Sequence, residues 1–198
     1  MARVRRNPAA GSTGRGVLAL VGDERALLAR IRAGDEKAFA AVYLAYYQPL
    51  CAFATACIGS REHSEELVQD VFCRIWQSHE AWQPTEPLVR GYLFNAVRNR
   101  ALNHLKHRKI EYRFAQWEAV ARNAPGPDGD VESAEFTAAV GRALAALPPR
   151  CREACSLRWQ FDLSYNEIAT TMAIAPKSVE GLITRGLKSL RSTLRDFR

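Results

Sequence analysis

Apolar residues recur along this chain at steps of three and four. Phe39, Val42, Tyr43, Tyr46, Leu50, Phe53 and Cys57 form one such stripe, the spacing of a helix with one buried face. The block that carries it begins near Asp23 and is broken by Gly59-Ser60. A second helix follows, with Leu67, Val68, Val71, Phe72, Ile75 and Trp76 as a broad apolar face. Two prolines in "HEAWQPTEP" forbid a continuous helix there and predict a loop. A third helix places Leu93, Val97, Ala101 and Leu105 four residues apart. After "NAPGPDGDVESAE", whose glycines, prolines and acids predict a flexible linker, helical patterns resume. One runs from Phe136 to Leu147 and stops at Pro148-Pro149, and the next runs from Arg150 to Phe161. No segment alternates with the period of a strand. The pattern predicts an all-α protein of two small helical domains joined by a tether.

The stretch "LSYNEIATTMAIAPKSVEGLITRGLKSLR", Leu163 to Arg191, is the most specific local signal. Ser164 and Glu167 make a capping box at the start of a short helix, with Ile168, Ala169 and Met172 facing inward. Ala173-Ile174-Ala175 turns the chain, with Ile174 as a buried pin. Pro176 takes the first helical position, where its missing N–H costs nothing. Val179, Ile183, Leu187, Leu190 and Leu194 then hold one face of a long helix. This is a helix-turn-helix, whose second helix enters the major groove by its N-terminal residues. The opposite face also carries Thr184; Lys177, Ser178, Glu180 and Gly181 stand where base edges would be met, and Arg185, Lys188 and Arg191 where phosphates would be. Two features depart from the usual motif. Ala173 replaces the glycine of the turn. Ala175 replaces a Ser or Thr N-cap, a loss of about 1 kcal/mol of helix stability.

Charge sharpens this picture. The net charge is +7 and the pI about 9.4, which points to a polyanionic partner. The charges are segregated. From Arg61 to Glu80 the acids Glu62, Glu65, Glu66, Asp70 and Glu80 outnumber Arg61 and Arg74. From Arg90 to Arg113, and again from Lys177 to Arg198, bases dominate. One acidic helix and two basic ones suit a protein partner and a polyanion together; solvated helix faces are the plainer alternative. The five cysteines, Cys51, Cys57, Cys73, Cys151 and Cys155, contain no CxxC pair. Each lies in an apolar helical pattern, as expected of buried, reduced thiols. Cys151 with Cys155, and His104 with His107, offer two metal ligands each, but nothing supplies the other two, so packing is the stronger reading. No metal or other cofactor is expected. No apolar run approaches the ~18 residues needed to cross a bilayer, and the arginine-rich start reads as a disordered basic tail. A cytoplasmic protein without membrane insertion is expected.

"EELVQDVFCRIW" (Glu65–Trp76) followed by "YLFNAVRNRALNHLKHRK" (Tyr92–Lys109) resembles the core of bacterial RNA polymerase sigma factors. "LPPRCREACSLRWQFDLSYNEIA" resembles their C-terminal promoter-binding region. Order, spacing and length are similar to the extracytoplasmic-function (ECF) group over about Asp35 to Leu194. The ending "SVEGLITRGLKSLR", with Val-Glu where many members have Val-Lys, looks like the iron-starvation-type subgroup.

The resemblance implies a basic tail over 1–22, sigma region 2 over 23–113, a linker over 114–134 and sigma region 4 over 135–198. It implies a sigma factor and not an enzyme. Such a protein binds core RNA polymerase, at a coiled coil of the largest subunit and at the flap, directs it to promoters and helps melt the −10 region. The polymerase-facing side would be Glu62, Glu66, Gln69, Asp70 and Arg74. The −10 element would meet Asn95, Arg98, Asn99, Arg100, Asn103 and Lys106. Trp82 in the preceding loop would either stack on an unpaired base or anchor the loop on the third helix. The family often has aspartate where Asn103 stands. The −35 element would meet Lys177, Ser178, Glu180, Gly181, Thr184, Arg185 and Lys188. The linker acids between Glu118 and Glu135 would lie toward the polymerase's RNA path. An anti-sigma partner is a further candidate. The rival readings are a helix-turn-helix regulator that binds duplex DNA without polymerase, an interaction adaptor, and an enzyme. The last lacks a phosphate loop, a nucleophile elbow or a complete metal set.

Overall fold

The computed structural model describes residues 24–82, 89–107 and 139–193, and among these the only regular secondary structure is helical. The tail over 1–22, the rest of the loop after Trp82, the linker over 114–134 and Leu194 lie outside them. The helices are α1 (Glu24–Arg32), α2 (Glu36–Ile58), α3 (Arg61–Gln77), a single 3₁₀ turn (His79–Ala81), and α4 (Val89–His107). They continue with α5 (139–145), α6 (Pro149–Trp159), α7 (Tyr165–Met172) and α8 (Pro176–Thr193).

The block read as one helix from Asp23 is two. Gly34 takes a left-handed φ of 81°, and Asp35 then caps α2 by accepting from the N–H groups of Lys37 and Ala38 at 3.0 and 3.1 Å. Those hydrogen bonds, with the Arg30 guanidinium, hold the Asp35 carboxyl below its usual range. The break is hidden in the sequence because Leu27, Leu28 and Ile31 are followed by Ala38 and Val42, and all of them are buried. Gly59, at φ 76°, ends α2, and the Ser60 hydroxyl starts α3.

α2 lies at the centre of the N-terminal half, packed on α3 and α4. By length and composition it is apolar enough to cross a membrane, against the expectation that no run approaches that length. Half of that window is buried inside the protein, with Tyr46, Leu50 and Phe53 almost fully enclosed, as in the core helix of a bundle.

In the C-terminal half α8 crosses α6 and packs on α7. The expected capping box is present in full: Ser164 accepts from the Glu167 N–H, and the Glu167 carboxylate accepts from the Ser164 N–H. Ala173 adopts the left-handed conformation, φ 51° and ψ 50°, that the turn requires. For a residue with a Cβ this costs about 1 kcal/mol. Ile174 is half-buried against the core rather than fully enclosed.

The two halves share one core. Phe161 packs edge-on against Phe53 and Phe94, at centroid distances of 5.6 and 5.4 Å, and α4 lies directly along α7. Four cysteines are buried, but Cys73 is exposed, because it falls on the outer face of α3 between Asp70 and Arg74. Burial pushes the Cys155 thiol up to about 12, so it is an inert packing group.

Candidate functional site

The −35 set is gathered on one surface. Lys177, Ser178, Glu180, Gly181, Thr184, Arg185 and Lys188 are all exposed along α8, while Val179, Leu182, Ile183 and Gly186 face the core. Lys177 and Glu180 pair at 3.1 Å across one helical turn, so both side chains already point outward at the N-terminal end of α8. Nothing packs on this face among the described residues.

The acidic set is likewise on one surface. Glu62, Glu66, Gln69, Asp70 and Arg74 are exposed along α3, opposite the buried Leu67, Val68, Val71, Phe72 and Ile75. Gln69 donates to the Tyr47 hydroxyl at 3.3 Å.

Beside this polar face lies an open groove of about 620 Å³ between α2 and α3, lined by Phe39, Tyr43, Leu44, Phe72, Cys73 and Trp76, among others. Leu44 on its rim is 76% exposed. The sequence places Phe39, Tyr43 and Trp76 in the core stripe, but their rings form a half-open wall. Phe39 sits 4.9 Å from Trp76, and Tyr43 stacks on Tyr47 at 4.9 Å. The available signal is Leu44 itself, an apolar residue off the stripe of its own helix.

The −10 set is divided by the fold. Asn99, Asn103 and Lys106 are exposed along α4. Arg100 is partly covered and reaches Asp70 at 3.7 Å. Trp82 is buried and meets the Tyr92 ring edge-on at 5.8 Å, so of its two readings the loop anchor describes this structure. Its indole N–H is buried without a hydrogen-bond partner among the described residues. Asn95 and Arg98 face the C-terminal half. Asn95 donates to the Thr170 and Thr171 carbonyls at 2.8 and 3.0 Å, in the last turn of α7, where Thr170 also accepts from the Ala173 N–H. Arg98 is buried and donates to both carboxylate oxygens of Glu153, at 2.5 and 3.4 Å.

Glu153 is fully buried in α6. It is the residue of this site that sequence reasoning missed; its signal is an acid flanked by Cys151, Ala154 and Cys155 on an otherwise apolar face.

At the start of α4, the Glu24 carboxylate of α1 accepts from the Val89 N–H at 2.5 Å, so α1 caps this helix from outside. Burial holds that carboxyl above its usual range, against the pull of the hydrogen bond.

His104 lies 5.4 Å from the His63 ring, and no group of three or more metal-ligating side chains occurs among the described residues.

A helical N-terminal unit with an acidic outer face, followed by a helix-turn-helix, matches two known family models in the same order. Residues 42–110 match sigma-70 region 2, and residues 137–190 match sigma-70 region 4. The chain is 28% identical over 164 residues to the ECF RNA polymerase sigma factor RpoE of Cereibacter sphaeroides, covering 79% of this chain and 86% of that protein. It is 21% identical over 178 residues to SigW of Bacillus subtilis, covering 85% and 95%. Among solved structures, CnrH in complex with the cytosolic domain of CnrY shares the fold at a TM-score of 0.58 and 22% identity, over 87% of this chain and 97% of that one. The sigma factor RpoE of Bartonella quintana, in complex with the anti-sigma factor NepR, shares it at 0.55 and 20%, over 79% and 96%. The chain belongs to the sigma-70 family, in its extracytoplasmic-function group.

Proposed function

We propose that this chain binds core RNA polymerase and carries it to promoters by holding two separated DNA elements. The outer face of α3 and the adjoining groove take the polymerase. An acidic rim beside an apolar, aromatic-lined depression is the arrangement that lets charge set orientation while burial supplies affinity. α8 reads the −35 element as duplex. α4, with the loop before it, captures unpaired −10 bases of the non-template strand and so draws the opening equilibrium toward melted DNA. No bond is made or broken by the chain in this scheme.

The observation that carries the reading is α8: six polar residues and Gly181 are exposed together, on a helix whose other face is buried against α6 and α7.

The division into a tail over 1–22, region 2 over 23–113, a linker over 114–134 and region 4 over 135–198 belongs to this proposal, as does a cytoplasmic location. An anti-sigma partner fits the α2–α3 groove on the same chemistry, and one of the similar structures is of a sigma factor in complex with an anti-sigma factor. The iron-starvation-type assignment rests on Val179-Glu180 alone, and none of the relatives named above carries that description.

The test is association with core polymerase across a salt series. The chain is expected to co-elute with the core at low and physiological salt. Separate elution at every salt concentration would remove the basis for the reading.

A further inference from the structure

We propose that residues 17–21 of the N-terminal tail occupy the α2–α3 groove of the free chain, so that the chain competes with core polymerase for its own docking surface; the competition rests on the sigma reading above. The tail lies outside the described residues, but its sequence and its point of attachment are fixed. Val17-Leu18-Ala19-Leu20-Val21 is its longest apolar run. Arg3, Arg5, Arg6 and Arg15 precede that run, and Asp23 is the one acid before Glu24.

The groove offers the complementary surface. Phe39 and Tyr43 of α2 face Phe72 and Trp76 of α3 across it, and Leu44 stands exposed on its rim. Covering such a surface is favourable for any apolar segment. One attached a few residues away has an advantage over a free partner, an effective concentration on the order of millimolar.

The attachment point allows it. α1 packs on α2 and on the 3₁₀ turn. Gly34, just after α1, approaches His79, whose ring stacks on Trp76 at 4.9 Å. Glu24 is the far end of α1, about 12 Å from there at 1.5 Å per residue. Val21 to Val17 reach at most about 10 to 24 Å from Glu24, and the groove runs about 12 Å along α2 from Glu36 to Leu44.

The order of charges agrees. Going away from Trp76, α3 presents Cys73 and then the exposed acids Asp70, Glu66 and Glu62, one turn apart. Going away from Glu24, the tail presents its apolar run, then Arg15, then Arg6, Arg5 and Arg3. With the apolar run in the groove, the arginines fall along the acidic edge of α3. A tail that served phosphates alone would need the arginines and not the five apolar residues. Polymerase must displace the tail, so its apparent affinity is lowered by the fraction of chains whose groove is open.

Cys73 reports occupancy directly. It is exposed and lines the groove, whereas the other four cysteines are buried. The full chain is labelled under native conditions with a fluorescent maleimide, and the rate at Cys73 is followed. Leu18→Asp with Leu20→Asp is expected to raise that rate about tenfold over the parent. Arg5→Glu with Arg6→Glu is expected to raise it about threefold, an effect lost in about 1 M salt, where charges are screened within about 3 Å. The Leu18→Asp and Leu20→Asp chain is also expected to bind core polymerase about tenfold more tightly than the parent.

Equal labelling rates in the parent and the Leu18→Asp and Leu20→Asp chain overturn the proposal. So does protection of Cys73 that grows with protein concentration, which assigns the groove to a second copy. Faster labelling with unchanged polymerase affinity overturns the competition. Failure of both chains to bind polymerase counts against the sigma reading, while the labelling rates still judge the tail.

Discussion

Gly186→Ala is expected to destabilise the C-terminal half by about 2 kcal/mol, the usual cost of forcing an extra carbon into a packed core. For a chain of this size that is a fall of roughly 6 °C in melting temperature. The sign is what makes the experiment informative. In an ordinary helix interior, glycine to alanine stabilises by about 1 kcal/mol. Gly186 is buried in the middle of α8 where that helix crosses α6, and a Cβ there collides with the Cys155 Sγ, with Leu147 Cδ1 at 3.7 Å behind it. Cys155 has no exposed surface into which to move. Adding Cys155→Ala is therefore expected to recover most of the loss, so that the double variant is more stable than the sum of the two single changes. Thermal unfolding of the four proteins measures that coupling. A Gly186→Ala protein as stable as the parent would mean that α8 does not approach α6 this closely.

The second large effect falls on the polymerase surface. Leu44→Asp is expected to weaken binding to core polymerase by about 2 kcal/mol, the scale of an interface hot spot, or about thirtyfold in Kd. Melting temperature should not change, because Leu44 is mostly exposed and supports no core. Asp70→Arg should act in the same direction by reversing the charge beside the groove. It is the less clean variant, since Asp70 also faces Arg100 at 3.7 Å. Titration of labelled protein with core polymerase gives both numbers. Wild-type affinity in both variants would move the polymerase contact to another face.

What could be read from the sequence follows from how locally each feature is encoded. α3 and α8 carry their buried and exposed faces at helical spacing, so their polar sets were legible as groups, and the capping box at Ser164 and Glu167 announced the start of α7. The split between α1 and α2 was not legible, because the apolar spacing continues across Ala33-Gly34-Asp35. Cys73 was misplaced for a related reason. It lies beside Phe72 in an apolar run, but one step along a helix turns a side chain by a quarter of a revolution or more, and that step takes Cys73 outside. The contact between the two halves was illegible in principle. Arg98 and Asn95 lie on a polar face of α4 that fits DNA equally well, and their partners are 55 to 76 residues away. No period of three or four records that pairing; it exists only once tertiary packing, such as that of Phe161 on Phe53 and Phe94, brings the two halves together.

Run-off transcription by core polymerase on linear genomic fragments from the source organism is the most direct measurement. With this chain as the sole added factor, discrete transcripts are expected from a subset of fragments, none of them made by the core alone, and each start should follow the same pair of upstream sequences at constant spacing. Transcripts that appear only when another sigma factor is supplied, or none with a chain shown to be folded, would contradict initiation by this protein.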